Sequence, residues 1–182
     1  MGFNGDLYPT AGASVVMTTK GDMVDYNTER QRLGIGTAGQ VLAVAGGLPV
    51  WSDASSITHS IAMEIAASDE TTALTVADDK VTFRMPYNMT LNAGIAGVRA
   101  SLTTAGTTSG VTTIDIEQGG SSILSTLLTI DYGELTSYTA ATPVVVGTTA
   151  LTDNSEMTIN VDVLSGGATE AGLKIQLIGT LT

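Results

Sequence analysis

Cysteine is missing from this 182-residue chain, and histidine and tryptophan occur once each. Without cysteine there is no disulfide framework, no thiol nucleophile and no thiolate metal site. With His59 the sole imidazole, a Ser-His-Asp triad has only one residue to build on, and a zinc centre would draw most of its ligands from carboxylates. Lys and Arg number seven against eighteen Asp and Glu, a net charge of −11. Proteins bind nucleic acid by using cations to displace counterions from phosphates, so DNA, RNA and anionic membranes are poor partners for this chain. No apolar run approaches the ~20 residues of a membrane-spanning helix. The opening stretch, MGFNGDLYPTAGASVV, has neither the basic region nor the apolar stretch of a secretion signal. Charged residues make up only 14%, which disfavours long solvated helices rich in Glu, Lys and Arg.

Small residues, Thr and β-branched side chains fill the space these absences leave, and from about residue 57 they alternate with a period of two. Ile57, His59, Ile61, Met63 and Ile65 fall on one face of a strand, with Thr58, Ser60, Ala62, Glu64 and Ala66 on the other. The same pattern recurs at Val81-Phe83-Met85, at Ile114-Ile116, at Met157-Ile159-Val161-Val163 and at Leu173-Ile175-Leu177. Met89 and Leu91 open another strand, which Gly94 and Gly97 bend before Val98, Ala100 and Leu102. The runs ILSTLLTID and ELTSYTAATPVVV supply one strand each, the second irregular with Pro143 at an edge, while EQGGSS and SGGATEAG read as turns. The expectation is all-β: an eight-stranded antiparallel β-sandwich, jelly-roll-like, over residues 57–182, preceded by an extended attachment segment over 1–56. Ile123, Leu127, Leu164, Ile178 and Leu181 fall outside the inward sets and read as surplus apolar surface for a partner to cover.

Within the N-terminal segment, Gly34-x-Gly36-x-x-Gly39 has the spacing of a dinucleotide-binding loop. That loop needs a buried strand before it and a helix N-terminus after it to meet the pyrophosphate. Here NTERQR precedes, and QVLAVAGGLPVW follows, reaching two glycines and a proline before three helical turns can form. The glycines therefore read as tight turns, and no cofactor is expected.

The same segment resembles a motif of tailed-phage virion proteins, tail fibres and head appendages, in which KGD, Arg-Leu, GTxGQVL and GLPxW follow in fixed order. The matching residues are Lys20-Gly21-Asp22, Arg32-Leu33, Gly36 to Leu42 and Gly47 to Trp51. The resemblance covers residues 18–51. It implies a non-enzymatic structural protein on the virion surface, made in the host cytoplasm: a capsid decoration or short head-fibre protein, with a tail-fibre or receptor-binding protein as the alternative. It also implies threefold self-association, with the major capsid protein or another virion protein as partner and host surface glycans as a further one. Arg32, Leu33, Val41, Leu42, Val44, Leu48, Pro49 and Trp51 are the candidate attachment residues, because a segment this short has little core of its own.

Reactive chemistry has few candidates. His59 sits on an apolar strand face and reads as a packed or interface side chain. Asp115 and Glu117 share a face about 7 Å apart by strand rise, a separation that suits glycoside hydrolysis, but the alternation marks that face as solvated. Asp78-Asp79 and Asp153 to Glu156 read as loop clusters without the order of a calcium-binding loop. Asn88-Met89-Thr90 has the letters of a glycosylation site. Tyr132 and Tyr138 are candidates for a glycan contact. No catalytic, cofactor or metal residues are expected.

Overall fold

Where side chains alternate, the backbone of a computed structural model runs as strand. The model describes residues 20–26, 30–54, 59–167 and 169–182, and among them there is no α-helix. The chain divides into two compact units, Met1–Ile57 and Thr58–Thr182.

The described part of the first unit is two hairpins. Strands β1 (Met23–Tyr26) and β2 (Arg30–Leu33) pair antiparallel, as do β3 (Gln40–Ala45) and β4 (Leu48–Asp53). Sequence reasoning expected an extended segment here. The correction comes from the glycines: Gly46 and Gly47 both take positive φ, 60° and 82°, which is what a two-residue turn needs for its twist to match that of the strands it joins. The arm, residues 1 to 17, lies outside the described residues.

The described residues of the second unit form twelve strands: β5 (Ser60–Ala66), β6 (Ala77–Arg84), β7 (Met89–Leu91), β8 (Val98–Ser101), β9 (Val111–Gln118), β10 (Ser121–Ser122), β11 (Leu124–Thr126), β12 (Leu128–Asp131), β13 (Val145–Val146), β14 (Ala150–Leu151), β15 (Glu156–Val163) and β16 (Lys174–Leu181). One antiparallel sheet runs β14-β7-β16-β5, with β8 also on β16; the other runs β10-β9-β15-β6, with β12 also on β9. A short ladder joins β11 to β13. The buried cluster takes Ile114 and Ile116 from β9, Met157, Ile159 and Val161 from β15, Ile175 and Leu177 from β16, and Val98 and Ala100 from β8. Side chains from two sheets thus share one core, an arrangement consistent with a β-sandwich. Removing such area from water contributes roughly 25 cal/mol per Å².

The bend between β7 and β8 falls where the glycines predict it. A 3-10 turn spans Gly94–Ala96, and a Cβ on Gly97 would lie 1.9 Å from the Asn92 carbonyl oxygen. Other details depart from the period-two reading. The run Ile123 to Asp131 is not one strand: Leu124 pairs with Val146, while Leu128 to Asp131 return to β9. The stretch after Asp131 forms a 3-10 turn at Ser137–Thr139 and only the two-residue β13. On β15 the ladder to β9 slips after Val161, so Val163 pairs with Thr113 and Asp162 is the extra residue of a bulge. That slip turns Val163 outward, 49% exposed. Opposite it, the β6–β15 register advances from Ala77↔Val161 to Val81↔Ile159. Asp78-Asp79 is therefore a bulge inside a strand rather than a loop, with Asp79 at φ 52° and its N–H donating to Asn160 Oδ1 at 2.8 Å.

The surplus apolar set also needs correction. Ile123 is buried, and Leu127 and Leu164 pack half-buried on the core. Ile178 is half-buried, and of the five only Leu181 is exposed. His59 precedes β5 and is exposed, so it is not a packed core histidine. The strand ends one residue short of it, with Ser60 the first paired position.

Candidate functional site

The described part of the N-terminal unit is built from the KGD, Arg-Leu, GTAGQVL and GLPVW runs. Gly21 takes φ 99°, and a Cβ there would lie 2.8 Å from Ile35 Cδ1. Asp22 then accepts the Ile35 N–H at 2.9 Å and pairs with the Arg32 guanidinium at 3.3 Å, its own side chain almost wholly buried. Trp51 lies on Gly36: a Cβ at that position would come within 2.6 Å of the indole Cδ2. The indole N–H donates to the Gly34 carbonyl at 2.6 Å. Gly39, at φ 87°, closes the turn in which the Gln40 N–H reaches the Thr37 carbonyl and Gln40 Oε1 accepts the Thr37 N–H. The three glycines of the nucleotide-like spacing are thus a carbonyl acceptor for tryptophan, a seat for its ring and a turn.

Register then sorts the candidate attachment residues. Leu42 lies opposite Trp51, and Val44 opposite Pro49, so these four share one face of the β3–β4 hairpin. Val41 and Leu48 lie on the opposite face with Ala43 and Val50. On the first face Leu42 is 48% and Val44 76% exposed. Ile35 is also exposed, while Leu33 on β2 is half-buried. Arg32 is held by Asp22. Sequence reasoning passed over Asp22, Ile35 and Gln40, although the KGD and GQ letters were in view. Asp22 meets Arg32 and Ile35 ten and thirteen residues along the chain, a contact that exists only once the segment has folded back, whereas Gln40 bonds Thr37 locally in the turn.

The acids of the C-terminal unit form no comparable constellation. Asp115 Oδ1 accepts the Ser122 hydroxyl at 2.6 Å and the Ile116 N–H at 2.7 Å. Partial burial, then the neighbouring charges of Asp115 and Asp78, push the Asp162 carboxyl above the ordinary range. At Asp153 to Glu156, Asn154 sits at φ 58°, its N–H bonded to Met85 O, and Glu156 pairs with Arg84. Asn88 Oδ1 accepts the Asp153 N–H at 2.8 Å. Among the described residues, no group of three or more His, Asp or Glu is placed to hold a metal ion, and no helix is long and apolar enough to cross a membrane. Tyr132 and Tyr138 are exposed, and the Arg99 guanidinium lies 5.5 Å from the Tyr138 ring centroid.

One carboxylate with no distinguishing pattern around it in the sequence is Glu170, in the SGGATEAG turn. It is fully buried; Oε1 accepts from the Ser165 and Thr112 hydroxyls, and Oε2 has no hydrogen-bond partner. Gly106 makes room for it, since a Cβ there would meet Ser165 Oγ and Glu170 Oε1. Burial pushes this carboxyl up, but hydrogen bonds from Ser165, its own N–H and Thr112 outweigh burial and hold it below the ordinary range. The two Ser/Thr/Gly loops it ties together also exchange backbone bonds, Gly166 N–H to Ser109 O and Thr108 N–H to Gly166 O. Glu170 is thus a structural tie.

Comparison with protein-family models, with curated proteins and with solved structures found no match to this chain.

Proposed function

We propose that this chain is a non-enzymatic virion structural protein, of the capsid decoration or short head-fibre type, carried on the particle surface after synthesis in the host cytoplasm. Its N-terminal unit attaches it to the major capsid protein or another virion protein and associates as a trimer. The observation carrying this reading is the face that Leu42, Val44, Pro49 and Trp51 make on a two-stranded hairpin. Such a hairpin is marginal in water by itself, and its outward Leu and Val lie in the stretch that resembles phage attachment motifs. Three copies give each such face a neighbour to bury against, and repeated attachment on a particle adds multivalency.

The C-terminal unit is a jelly roll in this reading. Support comes from counting β7 with β8 as one strand along β16, and β10 with β12 as one along β9. The eight strands then run first-eighth-third-sixth in one sheet and second-seventh-fourth-fifth in the other, the order of a jelly roll.

The test is the solution mass of the full chain by sedimentation equilibrium. Three times 18.6 kDa, or a whole multiple of that mass where trimers join further, is expected, falling in the double variant Leu42→Ser, Val44→Ser. A strictly monomeric chain, or a trimer indifferent to that substitution, refutes the reading. Antibody labelling of intact particles separates head from tail. The second reading, a tail-fibre or receptor-binding protein, is favoured by exposed Tyr132 and Tyr138 with Arg99 on the Tyr138 ring. It predicts that Tyr138→Ala abolishes binding to host surface glycans.

A further inference from the structure

Strands β5 and β6, each at one end of its own sheet, differ in how their edges are treated. A bare strand edge is a template for another strand, and proteins guard such edges with bulges, lysines and prolines. The β6 edge carries the Asp78-Asp79 bulge, Lys80 and Arg84. The β5 edge, SIAMEIA, carries none of these guards; its one charge, Glu64, is held by the Gln176 amide at 2.7 Å. Among the described residues of this unit, β5 pairs with β16 alone. Its inward row, Ile61, Met63 and Ile65, packs on the core yet stays only half-buried.

Backbone parity fixes which groups the free edge offers. The His59 carbonyl accepts from Leu181 N–H, and Ala67 N–H donates to Leu173 O, so odd-numbered residues of β5 face β16. Ser60, Ala62, Glu64 and Ala66 therefore turn their N–H and C=O groups to the open side. The strand is centred on Met63. An antiparallel copy in that register pairs Ser60 with Ala66 and Ala62 with Glu64 as hydrogen-bonded positions, about eight bonds in all. Met63 meets Met63 on the axis, Ile61 meets Ile65, and no like charges stand opposite each other.

We propose that β5 is a docking edge for β5 of a second copy of this chain, about a twofold axis through Met63 that makes one continuous sheet across both. The contact uses a different unit and a different axis from the N-terminal hairpin face, so either assignment can fail without the other.

The chain has no cysteine, so full-length Met63→Cys carries a single thiol. Non-hydrogen-bonded antiparallel partners have Cα atoms about 4.5 Å apart, within the roughly 4.4–6.8 Å that a disulfide spans. Mild oxidation is expected to give a covalent dimer on a non-reducing gel. Ser60→Cys, whose two copies would lie about 20 Å apart in this register, is expected to stay uncrosslinked. A second pair of variants avoids the core side: Ala62→Glu places like charges opposite Glu64 twice and is expected to weaken dimerisation about tenfold, while Ala62→Lys preserves or strengthens it. Equal crosslinking of the two cysteine variants, no crosslinking by either, or the same mass shift from both Ala62 variants overturns the proposal. Leu42→Ser, Val44→Ser should leave the Met63→Cys crosslink in place.

Discussion

Replacing Gly36 by alanine is expected to unseat Trp51 and with it the fold of the N-terminal unit. The added methyl would lie 2.6 to 2.9 Å from three indole carbons, closer than any carbon pair tolerates. The ring must move, because it is larger than the gap and the hairpin strand behind it is fixed by pairing. Overpacking of this kind costs about 1–3 kcal/mol. Moving the ring also breaks the 2.6 Å bond from the indole N–H to Gly34 O, a further ~0.5–1.5 kcal/mol. The sum, about 1.5–4.5 kcal/mol, compares with about 2–5 kcal/mol for the total stability of some 35 residues at the usual value per residue. The substitution should therefore leave the unit largely unfolded. Trp51 is the only tryptophan in the chain, so its emission reports on this unit directly. Expected are a red-shifted maximum in the absence of denaturant and loss of the cooperative urea transition that the wild type should show. Gly39→Ala is the control: its Cβ meets nothing within 4 Å, and only the positive φ is strained, costing about 1–2 kcal/mol. That variant should keep the native emission and lower the midpoint. Unchanged emission and midpoint in Gly36→Ala would refute the account of these glycines as packing positions.

In the C-terminal unit, Gly179→Ala places a methyl 2.1 Å from the Thr90 carbonyl oxygen, a backbone atom in the β7 strand beside it. It should cost about 3 kcal/mol or more, measured as loss of soluble folded protein or a lowered urea midpoint. Glu170 is expected to make stability fall on the acid side. Its carboxyl is held below the ordinary range when folded, so its contribution is complete above that range and is lost as pH falls through the folded value. Glu170→Gln keeps an acceptor for the two hydroxyls but removes the charge and leaves a buried amide NH2 without a partner where Oε2 stood, and should cost about 1–3 kcal/mol near neutrality. Melting temperatures of the two proteins should converge as the pH falls below the ordinary carboxylate range; a gap independent of pH would show that the carboxylate charge is not what ties the loops.

The alternation of Ile114-Ile116 and of Leu173-Ile175-Leu177 was readable because each residue obeys a strand period set by its own backbone, and both runs are buried as the pattern requires. The β15 run was readable only to Val161, since a bulge depends on which residue of β9 stands opposite. Ile123 to Asp131 is apolar on both faces and so gave no sign of where it exchanges β13 for β9 as partner. His59 looked inward because it continues the pattern of Ile61 and Met63, but the ladder begins after it.

By itself the sequence determined the all-β character of the described residues and their antiparallel strands. Those properties follow from local periodicity and from residue types that favour pleated backbone. Only the tertiary structure decided that Asp22 binds the Ile35 N–H and the Arg32 guanidinium, that Trp51 rests on Gly36, that Glu170 is sealed between two loops and that β5 has an unguarded edge. Each depends on contacts between residues distant along the chain, and those contacts exist only after the sheets have chosen their partners.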